Sequence, residues 1–232
     1  DKSTHTIQLK DKHYDFFVEL VFEAFEKENI LTQHVKIKNE EGGNIQLHNF
    51  YSFYLPVNTQ SYYLTEFHGT WAREMQLTES LLTPGTRSVE SKKGNRTTQS
   101  ESPSFIVSLN QKAKPYGGEV IMGSLAWTGN YKLNFEVDET NQLNILAGIN
   151  PFLSEYPLSS GEEFITPKMV FTYSSTGYNQ ASRNFHNWAL THNLNQSEEM
   201  NGIVLNSWEG AYFDFDEKKI MQMIDDAASL GV

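Results

Sequence analysis

The chain has 232 residues, a net charge of -11 and no cysteine. That length holds one large β-domain or two small ones with a real core. The acidic balance argues against nucleic-acid and anionic-membrane partners, and the missing Cys removes disulfides, thiol nucleophiles and thiolate metal sites.

Most of the sequence alternates with period two. Asp15 to Glu26 places Phe16, Val18, Leu20, Phe22 and Ala24 on one face, and its aromatic and β-branched content favours a strand over a helix. Val35 and Ile37 alternate with Lys36 and Lys38. A Gly-rich turn, Asn39 to Asn44, leads into Ile45–Leu55, so these segments predict an antiparallel meander. Trp71, Arg73 and Glu74 form an unusual cluster for a strand. A structural pair of Arg73 with Glu74 or Glu79 is a simpler reading than an anchor for an interdomain contact. Thr83 to Pro103 is polar and rich in Gly, Ser and Thr, which predicts a long loop. Tyr131, Leu133, Phe135 and Val137, then a polar turn, then Leu143, Ile145 and Ala147 predict a hairpin with one buried face. The stretch from Ser159 to Ser175 adds another turn and strand.

At about Gly177 the period changes. Ala181, Phe185, Trp188, Ala189 and His192 stand at helical spacing. Residues 195–202 read as a polar linker. Residues 202–208 open with three consecutive apolar residues, which predicts a strand buried on both faces. Asp214, three residues before Glu217, resembles the start of a capping box. Ile220, Met223, Ile224 and Ala227 form a helical stripe that needs a cover, from the sandwich or from a second copy, and Gly231 fits a C-terminal cap. Strand, loop and helix predict the first part of a parallel βαβ unit. The domain reading is therefore a β-sandwich over residues 1–176, a linking helix and linker over 177–200, and a βα unit over 201–232. Both ends read as cuts in a longer protein, since residue 1 is Asp and the βα unit stands alone.

Few residues offer chemistry. Asp214 and Asp216 flank Phe215, close to Glu209, but Asp is a preferred helix cap and a loop Glu is more often structural. Trp208, at the expected strand end, suits either a sugar-stacking platform or packing. His186 and His192 are six residues apart, which fits no zinc pattern. Asn95-Arg96-Thr97 and Asn195-Gln196-Ser197 match the glycosylation sequon, a pattern common by chance. There is no P-loop, dinucleotide fingerprint or nucleophile elbow, so no cofactor is expected.

Three stretches are more specific: Gly69 to Phe105, Gly148 to Phe152, and Leu205 to Ile220, which reads LNSWEGAYFDFDEKKI. They resemble bacterial α-galactosidases of glycoside hydrolase family 36, and the resemblance runs through nearly all of the chain from about Phe16. It implies a mainly β fold: an antiparallel β-supersandwich lacking its first strands, a linking helix, and the first strand and helix of a truncated (β/α)8 catalytic barrel. It implies a parent that removes terminal α-linked galactose from oligosaccharides such as melibiose and raffinose by retaining double displacement. The two catalytic aspartates would lie on later barrel strands, so this chain would be inactive. It also implies that Trp208 lines the galactose pocket, that the sandwich domains mediate homo-oligomers, and that the protein is cytoplasmic and bacterial. The alternative is a non-catalytic carbohydrate-binding or oligomerisation module, with Tyr62, Tyr63, Trp71 and Trp127 as an exposed aromatic platform.

Overall fold

A computed structural model describes residues 2–194 and 203–232. The chain divides into two compact units, Asp1–Ala189 and Leu190–Val232. In chain order the strands are β1 Lys2–Lys10, β2 Phe16–Phe25, β3 Ile30–Asn39, β4 Ile45–Leu47, β5 Phe53–Asn58, β6 Tyr62–Thr70, β7 Arg73–Leu81, β8 Gly85–Ser91, β9 Glu101–Lys114, β10 Gly117–Ala126, β11 Tyr131–Val137, β12 Gln142–Ile149, β13 Tyr156–Leu158, β14 Glu163–Ile165 and β15 Lys168–Ser174. The helices are α1 Tyr178–Trp188, followed by a π turn at Ala189–Asn193, then α2 Trp208–Ala211 and α3 Glu217–Ser229.

The first unit is a sandwich of two antiparallel sheets. The large sheet runs β1-β2-β3-β15-β10-β9-β6-β7, with β14 also paired to β3. The small sheet runs β5-β12-β11-β8. Alternation assigns the faces. Phe105, Val107 and Leu109 of β9 and Ile121 and Leu125 of β10 pack against Leu133 and Phe135 of β11 and Leu143 and Ile145 of β12. Phe105 meets Phe135 edge to face at 5.0 Å. Gly123 of β10 lies beneath this contact. A Cβ there would stand 2.4 Å from Met169 Cε and 2.7 Å from Phe105 Cζ.

The opposite face of the large sheet carries α1. Ala181 is fully buried against Ile106 and Val120, while Phe185 and Trp188 cover Phe25, Ile30 and Val170. The buried Asn184 amide donates to the Thr172 hydroxyl at 2.9 Å, which fixes the helix's rotation on β15. Gly177 starts the helix at φ 92, with the carbonyl of Lys114 so close that no side chain fits. Further along the large sheet, Phe16, Val18 and Leu20 pack with Val35, Ile37, Phe50, Leu158 and Phe164.

The hairpin predicted at Tyr131–Ala147 is β11–β12, and the predicted strand at Asp15–Glu26 is β2. Two expectations are corrected, and one further strand is found. Thr83–Pro103 is not one loop: β8 occupies Gly85–Ser91 and pairs with β11. Its inward row is Gly85, Arg87, Val89 and Ser91, with only one large apolar residue, so it carries no hydrophobic period. Ile45–Leu55 does not continue the meander, because β4 pairs with β13 and β5 pairs with β12. Lys2–Lys10 is a strand that periodicity misses, because an edge strand exposed on both faces needs no apolar alternation.

Two buried carboxylates anchor the large sheet from opposite sides. Glu66 on β6 faces the small sheet and is 2 % exposed. Arg87 of β8 spans the sandwich to it with two hydrogen bonds, Nε to Oε1 at 3.0 Å and Nη2 to Oε2 at 2.9 Å. On the helix-bearing face, Glu23 of β2 accepts from Lys2 Nζ and Lys168 Nζ, both at 2.6 Å, and from Thr32 Oγ1 at 3.0 Å. Burial opposes the Glu23 charge, but Lys168, Lys2 and Thr32 together outweigh it and hold the carboxyl at about 2, against an ordinary 4.5. His34, also buried, is pushed below its ordinary 6.5 by burial and then by Lys168, with Glu23 opposing and Lys36 adding to the shift. Its Nδ1 has no hydrogen-bond partner.

Glu23 is depressed when folded, so its stabilisation is complete above the unfolded value of 4.5 and is lost as pH falls toward 2. His34 is depressed as well, so its part is lost as pH falls below 6.5. The urea midpoint of the first unit should therefore stay level near neutrality, decline below about pH 6.5 and fall more steeply below about pH 4.5. Glu23→Gln should cost about 2–3 kcal/mol at pH 7 and remove the steeper limb. Arg87→Met, which strands the Glu66 charge, should cost about 3 kcal/mol, and adding Glu66→Leu should recover part of that loss. Denaturant unfolding of the single and double variants checks both.

Candidate functional site

The second unit is built around Trp208. Ile203–Asn206 belong to no strand, contrary to the expectation of a buried strand there. Among the described residues no strand pairs with them, and a strand exists only through a partner's ladder. The Trp208 amide donates to Asn206 Oδ1 at 2.9 Å, and Ser207 and Trp208 open the single turn of α2. Tyr212 then takes φ 49, a conformation an L-residue rarely adopts, and turns the chain back. The result is an aromatic cluster. Trp208 meets Tyr212 edge to face at 5.4 Å and Phe213 at 4.9 Å. Trp208 itself remains 44 % exposed. Gly210 of α2 lies beside the Met223 side chain of α3. Tyr212 and Phe213 are absent from the sequence-derived candidates. Their spacing of four and five residues from Trp208 was the available signal.

The acidic residues nearby do not form a reacting pair. Asp216, not Asp214, is the N-cap of α3: it is extended, and its Oδ1 accepts from the Lys219 amide at 2.8 Å. The cap must lie three residues before the amide it serves, which Asp214 does not. Asp214 instead accepts through its carbonyl from Lys219 Nζ at 2.7 Å, and its carboxylate is exposed. Glu209 lies exposed in the first turn of α2. At the other end of α3, Gly231 takes φ 85 and its amide donates to the Ala228 carbonyl at 3.1 Å, the capping role its position predicts. Ile224 is half-exposed, and no residue of α3 is fully buried.

The remaining candidates are scattered. His186 and His192 are exposed, and among the described residues no group of His, Asp or Glu could hold a metal. Trp71, 91 % exposed, sits in the β6–β7 turn. Glu79 pairs with Lys112 at 2.8 Å rather than with Arg73, and Glu74 accepts from the Ala72 amide. Tyr62 is fully buried, with its hydroxyl donating to the carbonyls of Val57 and Asn141. It cannot belong to an exposed platform with its neighbour Tyr63, which points to the other face. Asn95 is exposed, and the sequon at Asn195 and the linker 195–202 lie outside the described residues.

Comparison with known proteins accounts for this combination of sandwich and aromatic turn. The Glycosyl hydrolase family 36 N-terminal domain matches residues 1–159, and Melibiase matches residues 163–232. The chain belongs to glycosyl hydrolase family 36. It is 32 % identical over its whole length to alpha-galactosidase AgaA of Geobacillus stearothermophilus, covering 32 % of that protein. It is 31 % identical to the bifunctional alpha-galactosidase/sucrose kinase AgaSK of Mediterraneibacter gnavus, covering 25 % of it. The solved alpha-galactosidase of Lactobacillus brevis superposes over the full chain with a TM-score of 0.95 at 29 % identity, and the chain covers 31 % of it. The chain thus spans about a quarter to a third of these relatives. The N-terminal-domain match covers β1 to β13, while β14, β15 and α1 fall within the Melibiase match.

Asp216→Ala should remove the α3 cap, lowering helicity and costing the second unit about 1 kcal/mol, whereas Asp214→Ala should leave both unchanged. Circular dichroism with thermal unfolding distinguishes the two.

Proposed function

We propose that this chain is the N-terminal part of an α-galactosidase that removes terminal α-linked galactose from oligosaccharides of the raffinose and melibiose type. One observation carries the reading: the N-terminal-domain match and the Melibiase match follow one another along a single chain that aligns end to end with α-galactosidases. Solved variants of AgaA from Geobacillus stearothermophilus hold stachyose and raffinose, which supports the substrate class. In this reading the segment after the sandwich, residues 201–232, begins the catalytic (β/α)8 barrel. The sandwich occupies residues 1–176, and the helix and linker occupy 177–200.

Retaining hydrolysis needs two carboxylates about 5–5.5 Å apart, one a nucleophile and one an acid/base. Asp216 is committed to a helix cap and Asp214 is exposed beside Lys219. The reacting carboxylates are therefore assigned to the parent beyond this segment. The contribution of these residues is Trp208, whose exposed ring offers an apolar plate to the galactose ring, held edge-on by Tyr212 and Phe213. The parent also forms homo-oligomers through its sandwich domains and works in the bacterial cytoplasm. Light scattering and cell fractionation check these two points.

The 232-residue chain should show no turnover of an aryl α-galactoside, while the full-length protein should hydrolyse it. In the full-length protein Trp208→Ala should raise KM for raffinose by about tenfold, the loss of roughly 1.4 kcal/mol of binding. Turnover by the chain alone, or a KM unmoved in the variant, would refute the assignment.

A further inference from the structure

At one end of the first unit the loop between β8 and β9 meets the turn between β10 and β11. Two hydrogen bonds join them. The Gly94 amide donates to Asn130 Oδ1 at 2.7 Å, and the Thr97 hydroxyl donates to the Gly129 carbonyl at 3.3 Å. Trp127 lies in this joint. Its indole Nε1–H donates to the Asn130 carbonyl at 3.1 Å. The ring edge lies over Gly129, where a Cβ would stand 2.6 Å from Nε1, so no other residue fits there unless the indole moves. The one polar atom of the indole is used, and Trp127 remains 38 % exposed.

Beside the ring lies a hollow of about 500 Å³, lined by Asn95, Arg96, Thr98 and Gln99. The side chains of Asn95, Arg96 and Gln99 make no hydrogen bond to another described residue. The joint therefore pairs a hydrogen-bonded aromatic plate with unspent amide and guanidinium groups. Apart from Arg96 the lining is neutral, made of amides, hydroxyls and the indole. A neutral pyranose matches both parts. Its ring C–H groups cover the indole, and its rim of hydroxyls meets donors and acceptors that no protein group satisfies.

We propose that Trp127, Arg96 and Gln99 form a binding site for a neutral oligosaccharide. The site requires no reaction and no other part of the parent protein. It holds whether or not the assignment of Trp208 stands.

The test is titration of the ¹⁵N-labelled 232-residue chain with stachyose and, separately, with maltotetraose. The chain contains four tryptophans, whose indole signals are assigned by single Trp→Phe variants. The Trp127 signal should shift saturably with at least one of the two sugars, with a midpoint of about 1–10 mM, as expected for a shallow site. The double variant with Arg96→Ala and Gln99→Ala, which leaves the indole in place, should raise the midpoint by at least about fivefold. Circular dichroism should show that variant folded. A Trp127 signal static against both sugars overturns the proposal, and so does a midpoint unchanged in the double variant. A shift confined to Trp208 also overturns it, while leaving the reading of Trp208 as a galactose contact intact.

Discussion

The central strands of the large sheet must be covered on both faces, and the rest of the fold follows from that requirement. In β9, Phe105, Val107 and Leu109 point to the small sheet while Ile106 points to α1. In β10 and β15 the same division holds, with Ile121 and Met169 on one side and Val120 and Val170 on the other. A slip of one residue would exchange the two sets. The helix is therefore part of the sandwich's core rather than an attachment to it, because without it Ile106, Val120 and Val170 would face water. Apolar burial of this kind, at roughly 1.5–3 kcal/mol for each large side chain, is what keeps α1 on the sheet.

Polar groups add register to this apolar arrangement. Glu66 and Glu23 lie on opposite faces of the same sheet, and each is buried and met by cations. Glu66 joins the two sheets through Arg87. Glu23 joins four strands of one sheet, since its partners come from β1, β3 and β15. Buried ion pairs contribute little net stability compared with apolar packing. They penalise wrong arrangements, because a displaced strand would leave a carboxylate buried without its cation. The edge strands β1 and β8 have few apolar side chains of their own, and each is held by one of these pairs.

How much of this was legible in the sequence depended on whether a strand's inward row was apolar. Tyr131, Leu133, Phe135 and Val137 announce a strand because every second residue is buried. Arg87 hides one, because its inward position is satisfied by Glu66, which lies 21 residues away in sequence. Lys2–Lys10 hides another, since exposure on both faces leaves no period. Ile203–Leu205 reads as a buried strand from its three apolar residues, but among the described residues no strand pairs with it. The aromatic turn was half legible. Trp208 was identified through the resemblance of its surrounding stretch, while the contact of the exposed Phe213 with Trp208 follows the positive φ of Tyr212, which composition does not encode. The distinction between Asp214 and Asp216 turned on one helical register. The joint at Trp127 was hidden because its two loops are about thirty residues apart and meet through the Gly94 amide on Asn130 Oδ1 and the Thr97 hydroxyl on the Gly129 carbonyl.

Gly123 ties three positions into one unit of inheritance. The space a methyl would need there is held by the tips of Met169 and Phe105, and the Phe105 ring in turn rests on Phe135 of the other sheet. A relative that gains a side chain at this point must give up volume at one of the other two, or let its sheets move apart. Drift at these sites should therefore be correlated, even though 105 and 169 are 64 residues apart and approach each other only across β10.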